Sequence, residues 1–412
     1  KIYLDNASTS FPKPKAVADA VYAFMLNQGS NINRGGYNSA YSTAEAVYEA
    51  RQLLCDLFHG EDCKNVVFTR NVTESLNIVL KGLLKPGDHV LVSAMEHNAV
   101  MRPLVQLEAL GVAFTRIPCN DKGELLACDA GAIISSSNVS SLLASLIKPN
   151  TKAIIMTHAS NVCGTVLPIS YVGTFCKEHN LKFIVDSAQT AGVLPIDMEA
   201  MHIDALCFTG HKGLLGPQGI GGFILKESMV EQVSPLIVGG TGSISHTEAT
   251  PSFMPDKFEA GTMNLPGIMG LKASLEWLLA QADEDDTNNS KFINAMDKLR
   301  QHELELTQQF IDGLLPLEQQ GLLRILGHKD TKNRIGVVAI TDTKIDLAEL
   351  AYELDAQYGI ATRVGLHCAP NAHKTLNCYP QGALRFSIGW ANTKADVEAA
   401  LEALTTLLSA KK

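Results

Sequence analysis

The chain has 412 residues, 46% hydrophobic and 19% charged, with a formal net charge of −9. That length exceeds one ordinary core and points to a large and a smaller domain, in a folded rather than a disordered chain. The acidic balance, with no Lys/Arg cluster, excludes nucleic-acid binding as the main task, and no apolar run approaches a membrane span. Nine cysteines, an odd number with no C-x-x-C pair, suit buried thiols in a reducing, cytoplasmic setting better than a disulfide framework or a zinc site. Asp5 comes too early for a signal peptide, while a chain starting at Lys1 leaves a trimmed leader open.

In chain order, the short strand Ile2-Tyr3-Leu4 runs into Asp5-Asn6-Ala7-Ser8 and the stiff Phe11-Pro12-Lys13-Pro14. Residues 16–27 have helical spacing with Val17, Ala20, Val21 and Phe24 on one face, 31–37 form a glycine-rich loop, and 43–58 return to helix. A strand at 65–68 precedes a helix at about 75–82, with Thr73 in the turn between. Free N–H groups and a hydroxyl there suit a phosphate, or Thr73 simply caps the helix. Further strands fall at 89–94, ending at Glu96-His97-Asn98, and at 113–118. The serine-rich 135–145 reads as a loop feeding a short helix, and more strands follow at 153–158, 182–185, 205–208 and 221–225. Seven strands alternating with helical stretches predict a mainly parallel sheet covered on both faces. A helix over 266–281 then connects the domains. The acidic tip 283–289 reads as a solvated loop, since no glycine turn or distal glutamate completes a calcium site. Strands at 334–340 and 384–388 among helices give an α+β remainder. We expect a large domain over 16–263 and a small one over 264–412, with 1–15 packed on the small one.

Two polar stretches organise this pattern. Phe183-Ile184-Val185 leads into Asp186-Ser187-Ala188-Gln189, and Ala205-Leu206-Cys207-Phe208 into Thr209-Gly210-His211-Lys212-Gly213. Both sit where an α/β sheet places its ligands. Lys212 can form an imine with an aldehyde cofactor, and Asp186 can pair with a protonated ring nitrogen. Together those two tasks describe pyridoxal 5′-phosphate (PLP). Arg385, in an otherwise apolar strand, offers a fork for a substrate carboxylate, unless it is the outward residue of an alternating strand. Cys368 follows His367 and precedes Ala369-Pro370 in a loop opened by Gly365. A protonated imidazole beside it would favour the thiolate, although a cysteine is by default a packed thiol.

Asp186-x-x-Gln189, Thr209-Gly210-His211-Lys212 and Gly216-Pro217-x-Gly219 resemble the class V aminotransferase superfamily of fold-type I PLP enzymes. Within it the likeness is to cysteine desulfurases and selenocysteine lyases. Leu4-Asp5-Asn6-Ala7, Glu96-His97-Asn98, Ser160-Asn161-x-x-Gly164 and Arg363-x-Gly365-x-His367-Cys368-Ala369-Pro370 extend the resemblance over nearly the whole chain. It implies an α/β, fold-type I PLP-dependent transferase with a seven-stranded large domain and a small α+β C-terminal domain. It also implies that Lys212 carries the cofactor, His97 stacks on its ring, and Asn161 contacts the ring oxygen or the substrate carboxylate. Gln189 would donate to the ring oxygen. Thr73, Thr209 and His211 would anchor the phosphate, with Thr262 reaching the neighbouring subunit's cofactor in a homodimer. Arg385, and second to it Arg363, would hold the carboxylate of L-cysteine. Cys368 would attack the substrate sulfur, giving L-alanine and an enzyme persulfide for a sulfur-acceptor protein. No metal is expected. Many relatives have His at the position of Asn33, which therefore takes no catalytic role. Selenocysteine lyase, an aminotransferase of the same fold (with no use for Cys368) and a non-catalytic PLP-binding regulatory protein are the alternatives.

Overall fold

Successive residues of the central strands enter two different cores. Leu91, Ile154, Met156, Phe183, Val185, Leu206 and Phe208 pack on one side of a sheet, and Val90, Val92, Ile155, Ile184, Ala205 and Cys207 on the other. Burying both faces is what turns these strands into near-continuous apolar runs. The computed structural model, which describes residues 1–33, 35–126, 135–283 and 288–410, contains seven strands in this sheet. Their order is Val66–Thr69, Gly221–Leu225, Ala205–Thr209, Lys182–Asp186, Thr151–Thr157, His89–Ser93 and Ala113–Ile117. Gly221–Leu225 runs antiparallel to both neighbours and the other pairings are parallel, which confirms the mainly parallel α/β sheet.

A second, antiparallel sheet has the order Arg363–Gly365, Ala383–Ser387, Val337–Thr341, Arg324–Leu326. Its Val338, Ile340, Leu384 and Phe386 form a core with the helices Asn288–Gln319, Leu347–Tyr358 and Lys394–Ala410. The N-terminus joins this core: Ile2–Tyr3 pairs parallel with Ile360–Ala361, Leu4 is buried in it, and Asp5 bridges to Ser387.

Several boundaries differ from the periodicity. The second helix begins at Asn38 rather than 43, because Ala40 and Thr43 already face the core and the Thr43 hydroxyl donates back to the Ser39 carbonyl at 2.8 Å. Asn71 caps the helix Val72–Leu83, its side chain accepting from the Glu74 N–H at 3.0 Å. Thr73 is therefore not the cap but an exposed residue of the first turn. The strand expected at 334–340 begins at Val337, since Arg334 turns inward and its guanidinium donates to the Cys163 and Val337 carbonyls. Ser135 caps the helix Ser136–Leu146. Most of the acidic tip, residues 284–287, lies outside the described residues. Among the described residues, eight cysteines are unpaired and no helix is long and apolar enough to cross a membrane.

Candidate active site

The sheet delivers Thr157, Asp186 and Thr209 to the carboxyl ends of neighbouring strands, Thr157 beside Asp186 and Asp186 beside Cys207. The loop after Thr209 folds flat against the turn at 190–193. A Cβ on Gly213 would lie 2.5 Å from the Ala191 carbonyl oxygen. One on Gly192, at φ +78°, would lie 2.6 Å from that of Gly213. Glycine is required at both places, and the close approach fixes where Lys212 leaves the backbone.

Low-dielectric surroundings push the Lys212 amine down to about 8, opposed by the Asp186 charge. A share of that amine is therefore neutral near neutral pH, as a proton acceptor or nucleophile must be. Asp186 is 2% exposed. Burial raises its carboxyl, while the Ala188 N–H at 2.9 Å and Lys212 hold it down. His97 is pushed down to about 4 by burial and by Lys212, Arg385 and Arg102. Its Nδ1 accepts from the Ala99 N–H at 3.0 Å and so caps the helix Asn98–Glu108. The ring is neutral, with its proton on Nε2. Gln189 is buried, with Nε2 donating to the Ala7 carbonyl at 3.1 Å.

Arg385 is buried, not outward-facing. Nη1 donates to the Asn161 carbonyl at 2.9 Å and Nη2 to Asp5 Oδ1 at 3.1 Å. Arg363, cross-strand from Arg385, grips the same Asp5 through Nη2 at 2.9 Å and Nε at 3.0 Å. Asp5 thus holds both arginines, and the sequence singled it out only as part of a motif. Glu96 is the other residue whose part was missed, a carboxyl 1% exposed that accepts from the Ser93 hydroxyl and, at 2.8 Å, from the Thr157 N–H.

The Cys368 loop is fastened on two sides. Its carbonyl accepts from the Asn98 N–H at 2.7 Å, and the His367 carbonyl accepts from Asn161 Nδ2 at 2.8 Å. His367 and Cys368 both occupy the left-handed region, at φ 47° and 55°. Cys368 is the one exposed thiol among the described residues. His367 does not favour a thiolate as expected. Burial and Arg385 push its imidazole to about 3, so it is neutral and donates through Nε2 to the Ala383 carbonyl at 3.2 Å.

Whether these residues fit PLP is testable from their unmet hydrogen bonds. Thr209 Oγ1 and His211 Nδ1 are buried with no partner, on the strand end and loop that carry Lys212. Arg385 Nε is likewise unmet. Buried polar groups need partners, and a phosphate beside Thr209 and His211 supplies acceptors of that kind. Thr73 adds an exposed hydroxyl on the first turn of the helix Val72–Leu83. The residues fit the group. Thr262 is not among them: it is exposed, lining a separate hollow of about 370 Å³ with Thr69, Arg70 and Glu74.

Comparison with known proteins gives the same frame. The family model for aminotransferase class V matches residues 2–400. A probable cysteine desulfurase of Aeropyrum pernix is 31% identical, covering 100% of this chain and 95% of that protein. Cysteine desulfurase CsdA of Escherichia coli is also 31% identical, covering 99% and 94%. Among solved structures, the apo cysteine desulfurase of Thermococcus onnurineus superposes with a TM-score of 0.85 at 27% identity, over 99% of this chain and 95% of that one. E. coli CsdA superposes with a TM-score of 0.81 at 30% identity, over 99% and 94%. With its sheet, Asp186 and Lys212 after neighbouring strand ends and a family match over nearly its whole length, the chain belongs to the PLP-dependent class V aminotransferase family.

Proposed function

We propose that the protein is a cysteine desulfurase that converts L-cysteine to L-alanine and carries the sulfur as a persulfide on Cys368. The observation that carries this reading is the placement of Cys368. It is an exposed thiol on a loop tied directly to the helix capped by His97 and to Asn161. The relatives named cysteine desulfurases support it.

When bound, PLP supplies an aldehyde for covalent attachment and a ring that withdraws electrons from the α-carbon of an amino acid. Thr209 and His211, with Thr73, would hold its phosphate, Asp186 its ring nitrogen and Gln189 its ring oxygen, Asn161 would contact that oxygen or the substrate carboxylate, and His97 would stack on the ring. Arg385 and Arg363 present guanidinium groups to the substrate carboxylate. Lys212, neutral in part near neutral pH, takes the proton from the substrate α-carbon. The Cys368 thiolate attacks the substrate sulfur. The carbon–sulfur bond breaks with its electron pair left on carbon, which takes up a proton on the way to alanine.

A homodimer completes this picture, Thr262 reaching the neighbouring subunit's phosphate site. Exposed Tyr22, Met25, Leu26, Tyr37, Tyr41 and Tyr48 offer the apolar area that an interface needs. The chain divides near residue 264, with residues 1–15 serving the smaller unit, and the eight unpaired thiols among the described residues suit a reducing, cytoplasmic setting. A sulfur-acceptor protein is the expected destination of the persulfide. To test the activity, the purified protein is incubated with L-cysteine while alanine and sulfide are measured with and without reductant. Alanine should form in step with the substrate consumed, whereas a keto-acid product in its place contradicts the reading.

A further inference from the structure

Cys368 opens on a cavity of about 320 Å³ that adjoins the proposed cofactor site, with Thr73 and His97 on its wall, and contains neither Arg385 nor Arg363. Asn77, Asn98 and Gln106 line it, together with Arg102. His97 also lies on this wall but is neutral, so Arg102 is the one cationic side chain among the lining residues. Arg102 stands on the helix Asn98–Glu108, whose first N–H is bonded to the Cys368 carbonyl, so the charge and the thiol are carried on directly linked elements. The Arg102 side chain is exposed and, among the described residues, meets no carboxylate and makes no hydrogen bond. Its charge nevertheless bears on His97, which shares the same wall.

An unpaired guanidinium lining the same cavity as a reactive thiol, in a chain of net charge −9, is a local seat for an anion. The cavity lies at the small end of small-molecule sites, which run from roughly 300 to 1,000 Å³. Whatever unloads a persulfide must itself bring a sulfur nucleophile. We propose that this cavity seats a low-molecular-weight thiol bearing a carboxylate, with Arg102 holding the carboxylate and the sulfur directed at Cys368. The inference rests on Cys368 being the sulfur carrier. In the transfer, the acceptor thiolate attacks the outer sulfur of the persulfide. The bond between the two persulfide sulfurs breaks, and its electron pair leaves on Cys368. The proton lost by the acceptor balances the one Cys368 regains, and no outside oxidant or reductant is needed.

The test uses holoenzyme preloaded with label from sulfur-labelled L-cysteine and freed of substrate. Release of label is timed with 3-mercaptopropionate, 2-mercaptoethanol and cysteamine, which carry a negative, a neutral and a positive group. Intrinsic thiol reactivities cancel when the ratio of mercaptopropionate to cysteamine rates is compared between proteins. That ratio should be about tenfold higher in the wild type than in Arg102→Ala, and lower again in Arg102→Glu. Equal ratios, within about twofold, in all three proteins overturn the acceptor seat while leaving the sulfur carrier intact. Absence of label on Cys368 in the wild type overturns both.

Discussion

Glu96 shows how a single residue near the site can tie stability to pH. Its carboxyl is buried, one oxygen accepting two hydrogen bonds and the other, Oε2, without a partner. Burial pushes it up to about 8, with the Ser93 and Thr157 hydrogen bonds opposing. The folded protein therefore keeps this proton after the unfolded chain has lost it, near pH 4.3 for a free glutamate. The stabilisation from this group is full below that value and drains away as pH rises towards about 8. Glu96→Gln keeps the accepting oxygen and has no proton to lose. Its melting temperature relative to the wild type should rise steadily from about pH 5 to about pH 8. A difference constant across that range would show that Glu96 does not titrate as described. Nothing in the sequence marked this carboxyl as buried beyond its place before His97.

Among the elements, the strands were the most legible, because parallel strands buried on both faces must be apolar throughout, as Phe183-Ile184-Val185 and Ala205-Leu206-Cys207-Phe208 are. Helix starts were less so. At Asn38 and Asn71 the boundary is set by burial and by a side-chain cap rather than by period. The left-handed turn at His367 and Cys368 leaves no signal in residue type, since neither is glycine. The N-terminal segment hides a larger device. Asp5 pairs with Arg363 and with the buried Arg385, joining the start of the chain to the second sheet. Two guanidiniums against one carboxylate leave a single net positive charge, which the proposed binding of one substrate carboxylate would use. Asp5→Asn breaks a largely buried pair and should cost about 3–5 kcal/mol in urea unfolding. Adding Arg385→Gln should recover part of that loss. A loss below about 1 kcal/mol for Asp5→Asn would mean the pair is not holding the segment.

At the scale of the whole molecule, the proposed homodimer would add a second copy to the site. Thr262 stands apart from Lys212 in this chain, and only the family resemblance assigned it a phosphate. Periodicity within one chain cannot reveal a contact between two. The segment before Thr262 is nevertheless firmly built, Glu259 pairing with the buried Arg51 at 2.6 Å and accepting from the Phe68 N–H at 2.8 Å. Mixing Lys212→Ala with a cofactor-deficient Thr262→Ala variant should restore activity through mixed dimers, in which one site has both residues. Equal mixing with free exchange predicts about a quarter of the wild-type sites. No recovery, or full activity from a protein that sediments as a monomer, would contradict the shared site.

The central claim is that the sulfur of L-cysteine passes onto Cys368. It is tested most directly by mass spectrometry of the alkylated, digested protein after brief exposure to L-cysteine, beside Cys368→Ser treated identically. One added sulfur should appear on the peptide holding Cys368. Alanine formation by Cys368→Ser should fall by about a hundredfold or more, because a serine hydroxyl stays protonated and attacks sulfur poorly. Added sulfur on Cys378 or on no cysteine, with desulfuration by Cys368→Ser undiminished, would contradict the account.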